Sequence, residues 1–202
     1  MTFIAKEFPS VQGVDGLSRR QQEEHYALYT GYITKCNELT RKLREVDVSK
    51  GNATYADARE IKIELAYALD AVKSHELYFG ALTQGAGGTP VGKTAEFIER
   101  DFGGFGAFRA EMTGTVMSAR GWAWLAYDRY DEMLHIYIGD THHTYPIWDA
   151  APIFAFDAYE HAYFMDYGTA RAQFIYAVFR NLDWSVIEDT LQCALRGDAV
   201  TK

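Results

Sequence analysis

The stretch DAYEHAYF, residues 157 to 164, sets a carboxylate and an imidazole four residues apart, Asp157 and His161, with Glu160 between them and aromatic rings around them. On a helix, positions i and i+4 share a face, and that alone accounts for the spacing without any chemistry. The other reading is that a carboxylate oxygen and an imidazole nitrogen converge on a metal ion. Two more of the chain's six histidines stand inside helix-like patterns, His25 in QQEEHYALYTGY and His75 in KSHELYF. A lone helix histidine is ordinarily a packed or surface residue. Three of them among aromatic residues, joined by one aspartate, form a set of three neutral nitrogen donors and one anionic oxygen donor. Such a set suits a borderline ion such as manganese or iron, and spacing does not choose between the two.

The elements that must position these residues are readable in outline. From Leu17 to about Val46, Tyr26, Tyr29, Ile33, Cys36 and Leu43 recur at helical spacing, with Ser18 as a candidate N-cap. VSKGN interrupts the pattern, and Asn52 to Leu82 reads as a second long helix carrying Ile61, Leu65, Leu69, Val72 and Tyr78. Two long helices joined by a short turn predict an antiparallel hairpin, whose two arms carry His25 and His75. TQGAGGTPVGK is the sharpest change of composition and is taken as a boundary, with a helical hairpin domain over 1–88 and an α+β domain over 89–202. Helical patterns cover about 94–118. The period then changes to two: GWAWLAYD and MLHIYIGD read as a β-hairpin around RYDE, and PIFAFD as a third strand. From Tyr159 onward the pattern returns to helix. The expected fold is α plus α+β, a long antiparallel helical hairpin followed by a small three-stranded antiparallel sheet flanked by helices.

Bulk properties narrow the function. Lys and Arg total 20 against 28 Asp and Glu, a formal charge of −8, which argues against bulk nucleic-acid binding. A small anionic substrate is compatible with that charge, because a local cationic funnel can attract an anion. No apolar run is long enough to span a bilayer, and MTFIAKEFPS lacks the charged-then-apolar pattern of an export signal. Cys36 and Cys193 have no CxxC spacing and read as free thiols in a reducing compartment, so the expected location is the cytoplasm.

DAYEHAYFMDY closely resembles the C-terminal metal-binding signature of the iron/manganese superoxide dismutases. SHELYF resembles that family's second-helix ligand motif, RDFGGFGAF the helical stretch beyond the boundary, and GWAWLAYD the first strand with its two tryptophans, all in the family's order. The resemblance implies that His25, His75, Asp157 and His161 bind one Mn or Fe ion per chain. It implies ping-pong conversion of superoxide to dioxygen and hydrogen peroxide. It also makes Trp122 and Trp124 an aromatic wall, puts Tyr159 where a tryptophan is common, and gives Arg171 the attraction of the anionic substrate. Glu160 matches a glutamate that reaches across a twofold interface to the partner's ligand histidine, so a homodimer or tetramer is implied.

The departures from the family pattern are specific. The gateway tyrosine usually falls eight residues after the first ligand, whereas Tyr32 falls seven after His25, so an irregular wide turn in that helix is expected to be absent. At the interface, a usual histidine–tyrosine pair is matched by Tyr29 and Phe164, which implies an altered proton relay. The family also supplies a glutamine or histidine to hydrogen-bond the ion's solvent. Ala71, four residues before His75, cannot do this, and GDTHHTYP offers His142, with His143 as the fallback. In the family a donor from the sheet side goes more often with manganese or with tolerance of either metal. Two rival readings stand beside the dismutase. A di-iron helical bundle wants two Glu-x-x-His pairs, and the chain offers only Glu132 to His135. The other rival is a non-catalytic metal-binding structural or interaction protein on the same fold.

Overall fold

The computed structural model describes residues 2–144 and 147–200. Helix α1 spans Arg19–Glu45 and helix α2 spans Asp57–Gly80. Ser18 caps α1, its Oγ accepting from the Gln21 N–H at 3.1 Å, which satisfies one of the unpaired donors at the helix start. Along α1, His25, Tyr29, Ile33 and Cys36 are buried, and Arg19–Glu23 and Arg41–Glu45 pair along the outer surface at i,i+4. Helix α2 begins five residues later than its apolar pattern suggested. The Asn52 carboxamide oxygen accepts from the Thr54 and Tyr55 N–H groups at 3.1 and 2.9 Å, an Asx-type turn that competes with helix at this point. Ala68 and Ala71, small and buried, sit on the inner face of α2.

Beyond the hairpin come α3 (Gly92–Phe102) and α4 (Phe105–Ser118), then three strands, β1 (Trp122–Asp128), β2 (Met133–Gly139) and β3 (Ala150–Asp157). The sheet is antiparallel with order β2-β1-β3, and every residue of the central strand β1 is buried. Trp122 lies opposite Gly139 on β2 and opposite Asp157 on β3. A register irregularity between Leu125 and Ala126 accommodates Pro152, which an edge strand tolerates because it lacks an N–H. Gly139 is required by Trp124, since a Cβ there would lie 2.4 Å from the indole ring.

One expectation is corrected here. Asp157 ends β3, as PIFAFD indicated, but the chain does not return directly to α-helix from Tyr159: His161 lies in a 3-10 turn, Glu160–Ala162. Strand β3 is buried along nearly all its length, so AAPIFAFD shows little alternation; it starts two residues before PIFAFD, at Ala150, and ends with it at Asp157. Three short to medium helices close the domain: α5 (Phe164–Tyr167), α6 (Arg171–Asn181) and α7 (Trp184–Arg196). Glu188 of α7 caps α3, accepting from the N–H groups of Lys93 at 3.1 Å and Thr94 at 2.7 Å. Among the described residues no helix is long and apolar enough to cross a membrane.

Candidate metal centre

Four elements converge on one point. His25 comes from the first third of α1, His75 from the end of α2, Asp157 from the end of β3 and His161 from the turn after it. Their donor atoms all lie within 4.8 Å of one another. Asp157 Oδ2 is the focus, with Nε2 of His25 at 2.9 Å, of His161 at 3.1 Å and of His75 at 3.7 Å. His25, His75 and Asp157 are fully buried, and the His161 side chain keeps 27% of its surface exposed, so this side of the cluster faces outward.

The hydrogen bonds behind the cluster decide which atoms are free to bind. His75 Nδ1 donates to the Ala71 carbonyl at 2.6 Å, which leaves the lone pair on Nε2. That Nε2 is buried and has no hydrogen-bond partner among the described residues. A buried imidazole with one nitrogen anchored and the other orphaned beside a carboxylate is suited to a cation. Asp157 Oδ1 accepts from the Tyr159 N–H at 2.9 Å, so Oδ2 alone points inward. Gln21 holds the turn in place: its Nε2 donates to the His161 carbonyl at 2.6 Å and its Oε1 accepts from the Met165 N–H at 3.1 Å.

Charge follows burial and pairing. Burial pushes His75 down to about 3, with His25 nearby adding to the effect. Burial also lowers His25, outweighing the bond from Asp157. For Asp157 burial acts upward, but the charge and hydrogen bonds of His161 and His25 prevail and hold the carboxyl well below its usual range. His161 is lowered by burial and raised more by Asp157, for a net rise. The site therefore offers an ionised carboxylate beside His25 and His75, whose burial favours the neutral, metal-binding form, and His161, which pairs with that carboxylate, a donor set that fits a divalent or trivalent ion.

The surrounding residues differ in how closely they approach. Trp122 is fully buried, its indole edge-on to His75 with ring centres 5.1 Å apart. Its Nε1–H donates to His142 Nδ1 at 2.8 Å, and His142 Nε2 lies 3.0 Å from the Tyr32 hydroxyl. His142 is buried and pushed down to about 4 by that burial, whereas His143 is half-buried, its Nδ1 3.3 Å from Thr141 Oγ1. Trp124 stacks beside Trp122 and bonds to Ser74 Oγ at 3.1 Å. The Tyr159 ring stacks on His161 at 5.1 Å. Helix α1 is α-helical throughout, without a wide turn. Seven residues are about two turns, so His25 and Tyr32 share a face without one.

Arg171 sits at the start of α6. It donates to the Tyr163 hydroxyl at 3.0 Å and to the carbonyls of Val116, Met117 and Ala119, so it caps the end of α4 while holding its charge in a set position. Glu160 is exposed, and Phe164 and Met165, four and five residues after it, are 49% and 48% exposed. Tyr29, expected at the interface end of α1, is instead fully buried. Its hydroxyl accepts from the Lys6 N–H at 3.0 Å and donates to Glu76 Oε1 at 3.1 Å, a pairing that draws it into the core. His135 pairs with Asp131 at 2.8 Å on the hairpin, away from the cluster. Tyr67 and Gln21 were not singled out from the sequence. Tyr67 had a readable signal, since it stands eight residues before His75 on the face shared with Ala71.

Residues 90–190 match the family described as "Iron/manganese superoxide dismutases, C-terminal domain". The chain is 38% identical to an iron superoxide dismutase of Aquifex pyrophilus over 189 residues, 92% of this chain and 89% of that protein. It is 36% identical to the iron superoxide dismutase of Aquifex aeolicus over the same shares of both chains. A manganese superoxide dismutase of Haloferax volcanii is 37% identical over 110 residues, 54% of this chain and 55% of that protein.

Proposed function

Because the chain belongs to the iron/manganese superoxide dismutase family and converts superoxide to dioxygen and hydrogen peroxide with one iron or manganese ion, we propose that His25, His75, Asp157 and His161 hold that ion. The observation that carries this reading is the orphaned Nε2 of His75, buried 3.7 Å from an ionised carboxylate oxygen on which two further imidazoles converge. The ion, when bound, supplies the one-electron redox chemistry, accepting an electron from one superoxide and returning it to another.

The chain's own residues do the rest. Peroxide formation consumes two protons, and the nearest exchangeable ones in the buried wall are on His142 Nε2 and the Tyr32 hydroxyl, which lie 3.0 Å apart. The Trp122 indole bond holds His142 in orientation, and Trp122, Trp124 and Tyr159 exclude bulk water from the imidazole side. Arg171 supplies fixed positive charge that favours approach of an anion to a chain of net negative charge. We assign Glu160, shortly before the half-exposed Phe164 and Met165, to a twofold contact in which it reaches the partner's copy of the same signature. The assembly is a homodimer or a tetramer built on it. Free thiols at Cys36 and Cys193 suit a reducing compartment, and we place the enzyme in the cytoplasm.

The test is metal retention. Asp157→Ala removes the one anionic donor and is expected to abolish Fe and Mn binding in the purified protein, while His135→Ala, on the hairpin surface, leaves it intact. Full metal content in Asp157→Ala would remove Asp157 from the ligand set.

A further inference from the structure

Two backbone groups that an α-helix would join are each taken by the same side chain. In a helix the Met165 N–H would donate to the His161 carbonyl, four residues back. The Gln21 carboxamide occupies both instead: its Nε2 donates to the His161 carbonyl at 2.6 Å and its Oε1 accepts from the Met165 N–H at 3.1 Å. Gln21 is fully buried, so water does not compete for either bond. Around this wedge the backbone runs as a 3-10 turn, Glu160–Ala162, and then a single helical turn, Phe164–Tyr167. Its own sequence does not demand the break, since YEHAYFMDY has neither glycine nor proline to stop a helix. The start of α1 grips the segment a second time. Asp166 accepts from the Ser18 N–H and from the Ser18 hydroxyl, both at 2.7 Å, and that hydroxyl in turn accepts from the Gln21 N–H at 3.1 Å. His25 stands four residues after Gln21, on the same face of α1. His25 and His161, the two imidazoles nearest Asp157 Oδ2 at 2.9 and 3.1 Å, are therefore both referenced to the first turns of α1.

We propose that Gln21 is a positioning residue for the metal centre: by occupying the two groups that would wind 161–165 into α-helix, it keeps the His161 imidazole in reach of Asp157. The proposal deepens the metal-site reading and rests on it. Without the carboxamide, the His161 carbonyl and the Met165 N–H lose their partners and are free to bond to each other. Rewinding from 3-10 to α geometry turns each side chain by roughly 20° per residue relative to its neighbour, which swings His161 off Asp157 Oδ2. Asp166 holds the same segment from its far end through Ser18. No covalent step is involved, and Gln21 reaches the metal position only through His161.

The test is Gln21→Ala, which removes both bonds. Three quantities are read on the full-length chain: release of bound Fe and Mn to EDTA, the 15N shifts of the histidine side chains in metal-free protein, and thermal unfolding of that metal-free protein. Ser10→Ala is the control, because it deletes another buried bond, Ser10 Oγ to the Phe79 carbonyl at 2.9 Å, outside the 161–166 segment. Gln21→Ala is expected to release metal about tenfold faster and to move the His161 shifts. The His75 shifts, anchored by the Ala71 carbonyl, stay in place. Ser10→Ala lowers Tm but changes neither release nor the His161 shifts. Release within twofold of wild type overturns the proposal, and so do unmoved His161 shifts. Shifts of His75 that move as far as those of His161 also overturn it, because a general loosening would then be the cause. Where Gln21→Ala fails to fold, Asp166→Ala at an exposed position decides: it should produce the same pair of changes, and the absence of either overturns the proposal. A metal-loaded wild type without turnover ends the dismutase reading alone, since none of these three measurements reads turnover.

Discussion

Trp122→Phe isolates the bond that orients His142. The indole Nε1–H is the only donor on His142 Nδ1 among the described residues, at 2.8 Å in a buried site. Phenylalanine fills most of the space but offers no N–H. Leaving a buried ring nitrogen without its donor costs about 1–3 kcal/mol. The void left by the smaller ring adds about 1 kcal/mol, a fraction of the cost of removing a buried aromatic side chain outright. The sum is about 2–4 kcal/mol, and for a chain of this size that lowers Tm by roughly 5–15 °C. The functional effect is separate from the stability effect. Without the indole, either nitrogen of His142 can carry the proton, so the Nε2–H facing Tyr32 is no longer enforced. Turnover is expected to fall about 10–100-fold, the range for losing an outer partner of a metal site. The assay pairs thermal unfolding with turnover on samples matched for metal content, and adds the 15N shifts of His142, which report the tautomer. His143→Ala, which alters the half-buried neighbour, is the control and should leave the His142 shifts in place. Unchanged His142 shifts and turnover within twofold of wild type in Trp122→Phe would refute the claim that this bond sets the tautomer.

Two further outcomes follow from other parts of the molecule. Glu188 is raised by burial but lowered more by bonds from Gln192, Thr94 and Lys93, so its folded pKa is depressed. Its contribution is therefore present above the ordinary carboxylate range and lost as pH falls through the folded pKa; Glu188→Gln should cost about 1 kcal/mol at pH 7 and flatten the acid limb of the stability profile, measured by urea unfolding. Glu160→Ala should weaken self-association and metal retention together, since an isologous contact repeats each loss, and sedimentation at micromolar concentration with metal analysis checks both. A wild-type monomer with full turnover would rule out the interface role.

Much of this was legible because it was local. Ser18 three residues before Gln21, the apolar spacing of α1, and the two alternating runs around RYDE each carry their own signal over a few residues. The four residues that converge, His25, His75, Asp157 and His161, were legible for a different reason: three histidines and an aspartate in aromatic surroundings are uncommon, and their motifs resemble a known family. What stayed hidden depended on distant parts of the chain. Gln21 bonds to the turn at His161, 140 residues away, and Glu188 caps α3 from 94 residues away, and neither residue is unusual in its own segment. Tyr29 stands on the same helical stripe whether its hydroxyl faces a partner subunit or Glu76; only the packing of the N-terminal segment, through the Lys6 N–H, decides that. The helix read from Tyr159 onward begins instead with a 3-10 turn and the short helix α5, because Gln21 of α1 holds that turn, and nothing in the segment's own pattern announces it.

The most direct test of the metal centre as a dismutase site is metal content and superoxide turnover measured on the same purified sample of the unaltered chain. The expected result is one iron or manganese per chain at full loading, with turnover proportional to the fraction loaded and abolished when the metal is stripped. Full loading without turnover, or turnover that persists in metal-stripped protein, would contradict it.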